Sequence, residues 1–187
     1  MFLDGSLSGL LLLKIGLVVC LIGLVFGLIQ YRQIAALPAH KSMTAVSDTI
    51  WETCKTYLIQ QGKFLFLLWF LVFLCILYYF GALEHKGVVA IGFIVASSIL
   101  GILGSYGVAW FGIRINTRAN SRSAFASLLP GRGAFESLII PMKSGMSVGL
   151  LLVSVELFFM ICILAFLPTD LVGPCFIGFA IGESLGA

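Results

Sequence analysis

The sequence predicts an all-α fold, a polytopic transmembrane helix bundle with about five spanning helices, on the evidence of its composition and its long apolar runs. Of the 187 residues, 60% are apolar and 10% are charged, and the mean hydropathy is +1.14. An ordinary soluble domain is roughly half apolar and a quarter charged. Membrane lipid is therefore the expected solvent for most of this chain.

Five apolar runs approach the length of a membrane span. A helix needs about 20 apolar residues to cross the hydrocarbon core, where every backbone N–H and C=O must be paired internally. The predicted spans are Leu7 to Ile29, Phe64 to Leu83, Gly87 to Ile113, Gly145 to Leu167 and Leu171 to Ala187. The last run is incomplete and ends on GESLGA without a polar flank. We therefore expect the chain to be the N-terminal part of a longer protein.

The basic residues predict the orientation of the spans. They cluster in two segments, residues 30–63 and 114–144, which hold Arg32, Lys41, Lys55, Lys63, Arg114, Arg118, Arg122, Arg132 and Lys143. Since loops rich in Lys and Arg stay in the cytoplasm, both segments are predicted to be cytoplasmic and the N-terminus to lie outside. We expect a multi-pass protein of the cell (inner) membrane. The basic residues flank apolar runs and are not interleaved with exposed aromatic residues, which argues against a nucleic-acid partner.

Small residues recur at steps of four in two predicted spans. The third span carries Ser97, Gly101 and Ser105, and the fifth carries Gly178, Gly182 and Gly186. In lipid, where no hydrophobic force joins helices, such residues allow close backbone packing. The pattern predicts helices that contact other helices, and by itself it indicates no particular activity.

Two glutamates lie deep in apolar runs. Glu156 is near the middle of the fourth span, and Glu183 follows Gly182 in the fifth. Acidic residues inside a membrane usually face a bundle interior or a water-filled cavity and often mark an ion path. Glu183 is the primary candidate for an ion gate and Glu156 a secondary one. The alternative for each is a protonated side chain that hydrogen-bonds a neighbouring helix.

Arg114, Arg118 and Arg122 form one stripe on a helix that continues past the third span. The stripe could bind anionic lipid or phosphate, or it could be ordinary positive flanking sequence. The chain has no Walker loop, no Ser/His/Asp arrangement, no HExxH motif and no acidic cluster suited to magnesium. No catalytic centre is visible in it.

Three stretches, in this order, resemble the N-terminal region of membrane-bound ion-translocating pyrophosphatases. They are INTRANSRSAFAS at Ile115 to Ser127, KSGMSVGLLLVSV at Lys143 to Val155, and GFAIGESLGA at Gly178 to Ala187. They are similar to the family's end of helix three, entry to helix four and first half of helix five. The earlier part of the chain resembles the family in topology alone.

The resemblance implies that the intact protein is a homodimeric pump of about sixteen helices that hydrolyses diphosphate with Mg²⁺. The family's hydrolytic residues lie outside the matched stretches, so it implies no catalytic residue and no metal ligand in this chain. Some proton-pumping members carry a gate glutamate on helix five, and Glu183 is similar to that residue. Glu156 has no family role that the resemblance supplies.

We therefore expect a pyrophosphate-energised proton pump, with sodium as the alternative ion. Two other classes of protein stay open. One is a non-enzymatic channel or secondary transporter whose path is lined by Glu183 and Glu156. The other is a small membrane assembly subunit that transports nothing itself.

Overall fold

The computed structural model describes residues 7–131 and 133–186, and this part of the chain is helical apart from short connections. The helices are α1 (Leu7–Ala36), α2 (Lys41–Ile76), α3 (Val88–Ala126), α4 (Gly133–Phe166) and α5 (Thr169–Gly186), and α2 continues into a π-helical segment, Leu77–Leu83. The predicted all-α class is confirmed. Arg132 and Ala187, which the sequence analysis named, lie outside the described residues.

Four of the described helices are long and apolar enough to cross a membrane. They are Gly9–Ala36, Lys41–Leu83, Val88–Ala126 and Gly133–Phe166. Helix α5 has 18 described residues, which corresponds to about 27 Å at the usual rise of an α-helix. The chain is an integral membrane protein. The predicted spans, including the fifth, and the two cytoplasmic segments remain predictions.

The helices are longer than the apolar runs that predicted them. Helix α2 begins at Lys41, α3 ends at Ala126, and α4 begins at Gly133. An apolar run marks only the part of a helix that contacts lipid. The ends of the helix are set by where its backbone hydrogen bonds stop, which is further along the chain at each end. Polar residues flanking a span continue the same helix, because most of them are compatible with helical geometry.

The helices present large apolar side chains outward and bury small hydroxyls. Leu12, Phe66 and Leu103 are exposed on α1, α2 and α3. The buried polar side chains of α3 and α4 include Ser97, Ser98, Ser105, Ser144, Ser147 and Ser154. This distribution is expected for helices surrounded by lipid. Apolar side chains are stable in contact with lipid tails, and small polar residues at the helix contacts let the backbones approach closely.

Contacts divide the chain into two compact units. The first comprises Met1–Ile22, Gly62–Tyr106 and Val153–Ala187, and the second comprises Gly23–Gln61 and Gly107–Leu152. The first has a core of Ile76, Phe80, Ile94, Ile163, Leu171, Cys175 and Phe179. The second has a core of Ile34, Ile115, Ala119, Ala126 and Ile140. The two carboxyl groups predicted to be functional belong to the first unit, and the arginine stripe belongs to the second.

A serine compensates for a proline inside α4. Pro141 lies within the helix and has no N–H, so it leaves the carbonyl of Ser137 without its usual helical donor. The hydroxyl of Ser123 on α3 donates to that carbonyl at 2.6 Å, and the hydroxyl of Ser137 donates to the Ser123 carbonyl at 3.3 Å. The reciprocal pair explains how α4 passes Pro141 and how it is joined to α3.

We expect Ser123→Ala to lower the free energy of unfolding of the full-length protein by about 1–3 kcal/mol, because the Ser137 carbonyl loses its donor. Ser127→Ala is the control, since that exposed hydroxyl bonds only the nearby Ala124 carbonyl. Thermal unfolding in detergent measures both. The double variant Ser123→Ala/Pro141→Ala should recover stability, because alanine restores the missing N–H. Equal losses in Ser123→Ala and Ser127→Ala would contradict this assignment.

Candidate site: a carboxyl pair beside a close helix crossing

Glycines of α5 lie directly on the backbone of α3. A Cβ atom added to Gly178 would lie 2.6 Å from the carbonyl oxygen of Ile94, and one on Gly182 would overlap the carbonyl of Ser98. Real Cβ atoms do not make such contacts with a backbone. Only glycine fits at these two positions without a shift of one helix, so the two backbones approach each other closely here.

Helix α3 contributes its own glycine to the same crossing. A Cβ on Gly101 would lie 2.7 Å from the amide nitrogen of Glu183 and would overlap the carbonyl of Phe179. One turn further along, a Cβ on Gly186 would lie 2.8 Å from the side chain of Ser105. Ser97 is buried and donates to the Phe93 carbonyl of its own helix at 2.9 Å. The small residues of α3 and α5 named from the sequence thus meet at one crossing, and the side chain of Ser97 also interacts with Cys175 of α5.

A tryptophan on α2 is hydrogen-bonded to this crossing. The indole N–H of Trp69 donates to the Ser98 hydroxyl at 2.9 Å, and the Ser98 carbonyl faces Gly182. The sequence analysis did not name either residue. The only signal was a serine next to Ser97 in an apolar run, and nothing in the sequence pairs that serine with a tryptophan on another helix.

The crossing brings the backbone of Glu183 against α3, and the Glu183 side chain reaches α4. There its carboxyl group lies within interaction distance of the side chain of Glu156. Both side chains are partly exposed. A carboxylate can only accept hydrogen bonds, so a bond between two carboxyl groups needs a proton on one of them. The structure therefore brings together two glutamates that no feature of the sequence pairs.

The surroundings of the carboxyl pair are apolar. Phe159, one turn from Glu156, packs on Phe179, one turn from Glu183, with ring centroids 6.0 Å apart. Phe159 and Val155 also close over Gly104 of α3. Among the described residues, the one ion pair joins Lys86 to Glu84, with 3.9 Å between the charged atoms. No basic side chain in this part of the chain therefore neutralises Glu156 or Glu183. Two adjacent carboxylates would repel each other in such surroundings, so contact between the two side chains requires a proton on at least one of them.

The described part of the chain does not fit a magnesium ion. It contains no group of three or more His, Cys, Asp or Glu side chains placed to hold a metal. Mg²⁺ in proteins takes oxygen ligands in near-octahedral geometry, and the glutamate pair supplies only two carboxyls that bond each other.

We expect Gly182→Ala to lower the free energy of unfolding of the full-length protein by about 1–3 kcal/mol, because the new methyl group meets a backbone carbonyl that cannot move alone. Gly173→Ala on the same helix is the matched control, since a Cβ there has nothing within 4 Å. Thermal unfolding of the two variants in detergent compares them. If both unfold at the wild-type temperature, the helix crossing is not as close as described.

Comparison with known proteins gives the family. The family model for inorganic H⁺ pyrophosphatase matches residues 21–187. The chain is 62% identical over 172 residues to a protein of Chlorobaculum tepidum named K(+)-insensitive pyrophosphate-energized proton pump, a match that covers 92% of this chain and 23% of that protein. No solved structure matches the chain. The chain spans about a quarter of the length of this curated relative, and the resemblance inferred from the three motifs is confirmed: the chain belongs to the inorganic H⁺ pyrophosphatase family.

Proposed function

We propose that the intact protein is a pyrophosphate-energised proton pump to which this chain contributes the first helices. The name of the C. tepidum relative supports the proton rather than sodium as the transported ion. It also supports activity that does not require potassium. A channel or an assembly subunit has no comparable support.

Within that pump, Glu183 is the proton-accepting gate and Glu156 is its proton-sharing partner. The observation that carries this assignment is the approach of their two side chains to each other in an apolar setting. A lone carboxylate in lipid is unfavourable by about 2.5–3.5 kcal/mol on insertion scales. A pair that shares one proton avoids two adjacent charges and keeps one proton available for transfer.

The placement of the two glutamates on different helices suggests how the pair could work. Glu156 is on α4 and Glu183 is on α5, so a displacement between the two helices lengthens or breaks their hydrogen bond. A carboxyl that loses its partner must bind water or exchange its proton. The close crossing of α3 and α5 fixes the backbone of Glu183, which makes α4 the partner that moves in this proposal.

The remaining functional parts belong to the intact protein. We assign diphosphate hydrolysis and Mg²⁺ binding to other residues of the intact protein, since the described part of this chain contains no metal-binding cluster. The intact protein is proposed to be a homodimer in the cell (inner) membrane, with its N-terminus outside and residues 30–63 and 114–144 in the cytoplasm. Membrane lipid contacts the exposed apolar side chains.

Glu183→Gln in the full-length protein should abolish proton pumping, because glutamine cannot take up a proton. The measurement is dye-reported proton uptake into proteoliposomes on addition of magnesium diphosphate, with phosphate release assayed in parallel. Glu52→Gln is the control, since Glu52 is an exposed carboxyl on α2 outside the first unit. Normal proton uptake per diphosphate in Glu183→Gln would remove the gate assignment.

Glu156→Gln should reduce pumping less than Glu183→Gln, because glutamine can still donate a hydrogen bond to Glu183. Glu156→Leu, which cannot, should reduce it further. If the two carboxyls act as one unit, the loss of pumping in Glu156→Leu should approach that in Glu183→Gln. The same uptake assay tests this, and normal pumping in Glu156→Leu would show that Glu183 acts without Glu156.

A further inference from the structure

A polar pocket of about 290 Å³ lies within the second unit. Its walls include three arginines of α3 and three polar residues near the start of α2, namely Arg114, Arg118, Arg122, Thr44, Ser47 and Asp48. The proton-pumping proposal assigns no role to this pocket. It is separate in sequence and composition from the glutamate pair, which belongs to the first unit.

Two of the arginines lie over aromatic rings. The guanidinium carbon of Arg114 is 4.4 Å from the centre of the Trp51 ring, and that of Arg118 is 5.1 Å from the centre of the Tyr31 ring. Such cation–π contacts fix the plane of each guanidinium while leaving its N–H groups free to donate. Neither side chain bonds a protein oxygen among the described residues. Both therefore offer donors to a ligand.

Arg122 is held by the backbone and has an unused donor. Its two terminal nitrogens donate at 3.0 Å to the carbonyls of Ala35 and Arg118. Its Nε atom is buried and has no hydrogen-bond partner. A guanidinium stays protonated at any physiological pH, so this N–H is always a donor. Buried donors are normally paired, which indicates an acceptor that the protein itself does not supply.

The charge of the pocket is unbalanced. Neighbouring arginines spaced four residues apart repel each other, and Asp48 is the only carboxylate in the lining. No ion pair within the described residues joins Asp48 to any of the three arginines. Three guanidinium groups and one carboxylate leave two positive charges uncompensated. An anion of charge near minus two would neutralise them.

We propose that this arginine pocket binds a phosphate-bearing anion. A phosphate group presents several acceptor oxygens and one to two negative charges, which suits several guanidinium donors at once. A single carboxylate has two oxygens and one charge, so it would leave donors and positive charge unsatisfied. The phosphate can come from a lipid headgroup or from free phosphate in solution, and both sources present the same chemistry to the arginines.

The test uses the full-length protein purified in a sugar-based detergent without phospholipid. In one arm, radiolabelled inorganic phosphate is bound at equilibrium in the presence of EDTA, which suppresses binding that needs magnesium. In the other arm, the protein is reconstituted in vesicles of equal parts phosphatidylglycerol and phosphatidylcholine, and the lipids it retains on extraction are counted by native mass spectrometry. The variants are Arg114→Gln/Arg118→Gln and, as a control of equal charge change per site, the exposed Arg32→Gln.

We expect the double variant to bind one of the two probes about ten-fold or more weakly than wild type, while Arg32→Gln stays close to wild type. Loss in the phosphate arm identifies free phosphate as the ligand, and loss of retained phosphatidylglycerol identifies a lipid headgroup. Both results support the pocket. Binding by the double variant equal to that of Arg32→Gln in both arms overturns the proposal.

A second measurement does not depend on the variants folding. Wild-type protein is treated with an arginine-selective dicarbonyl reagent, with and without inorganic phosphate or phosphatidylglycerol, and modified sites are mapped by mass spectrometry. Arg114 and Arg118 should be protected by one of the two probes, and Arg32 should not be. Modification of all three at the same rate, whatever is added, overturns the proposal without bearing on proton pumping.

Discussion

The close crossing of α3 and α5 is the contact on which the candidate site depends. In lipid, helices gain little by hiding apolar side chains from each other, so association relies on backbone approach and on van der Waals packing. Gly101, Gly178 and Gly182 allow that approach, because each would place a Cβ atom into the facing backbone. The amide of Glu183 is thereby fixed against Gly101, and its side chain is left to reach Glu156 on α4.

The same constraint governs the other polar groups of the chain. With little water in a bilayer, each hydroxyl and carbonyl needs a protein partner. Ser147 donates to the Gly27 carbonyl at 3.0 Å and Ser123 donates to the Ser137 carbonyl that Pro141 leaves unpaired. Against this background, the unpaired Nε of Arg122 and the carboxyl pair stand out. The buried Gln30 Oε1 also lacks a partner among the described residues. At these places the described side chains alone do not complete the hydrogen bonding.

The sequence predicted the helical class, the membrane location, the family and the presence of two intramembrane glutamates, because each rests on composition, run length or local motif. It did not predict that Glu156 and Glu183 meet, since that contact depends on how α4 packs on α5. No other polar residue lies on the same helix face as Glu156 to indicate a polar contact there. The arginine stripe was visible as a four-residue repeat. The pocket that α2 helps to line beside the stripe was not visible, and neither was the packing of Trp51 and Tyr31 on two of its arginines, because those contacts join residues distant in sequence.

The central claim is that Glu156 and Glu183 share a proton inside the membrane. Infrared spectroscopy of the full-length protein tests it most directly, through the carbonyl stretch of a protonated carboxylic acid and its shift in D₂O. We predict a band that disappears in Glu156→Gln and also in Glu183→Gln, because each substitution removes one member of the same pair. Two separate bands, each lost in only one variant, or no protonated-carboxyl band that either substitution changes, would contradict the account.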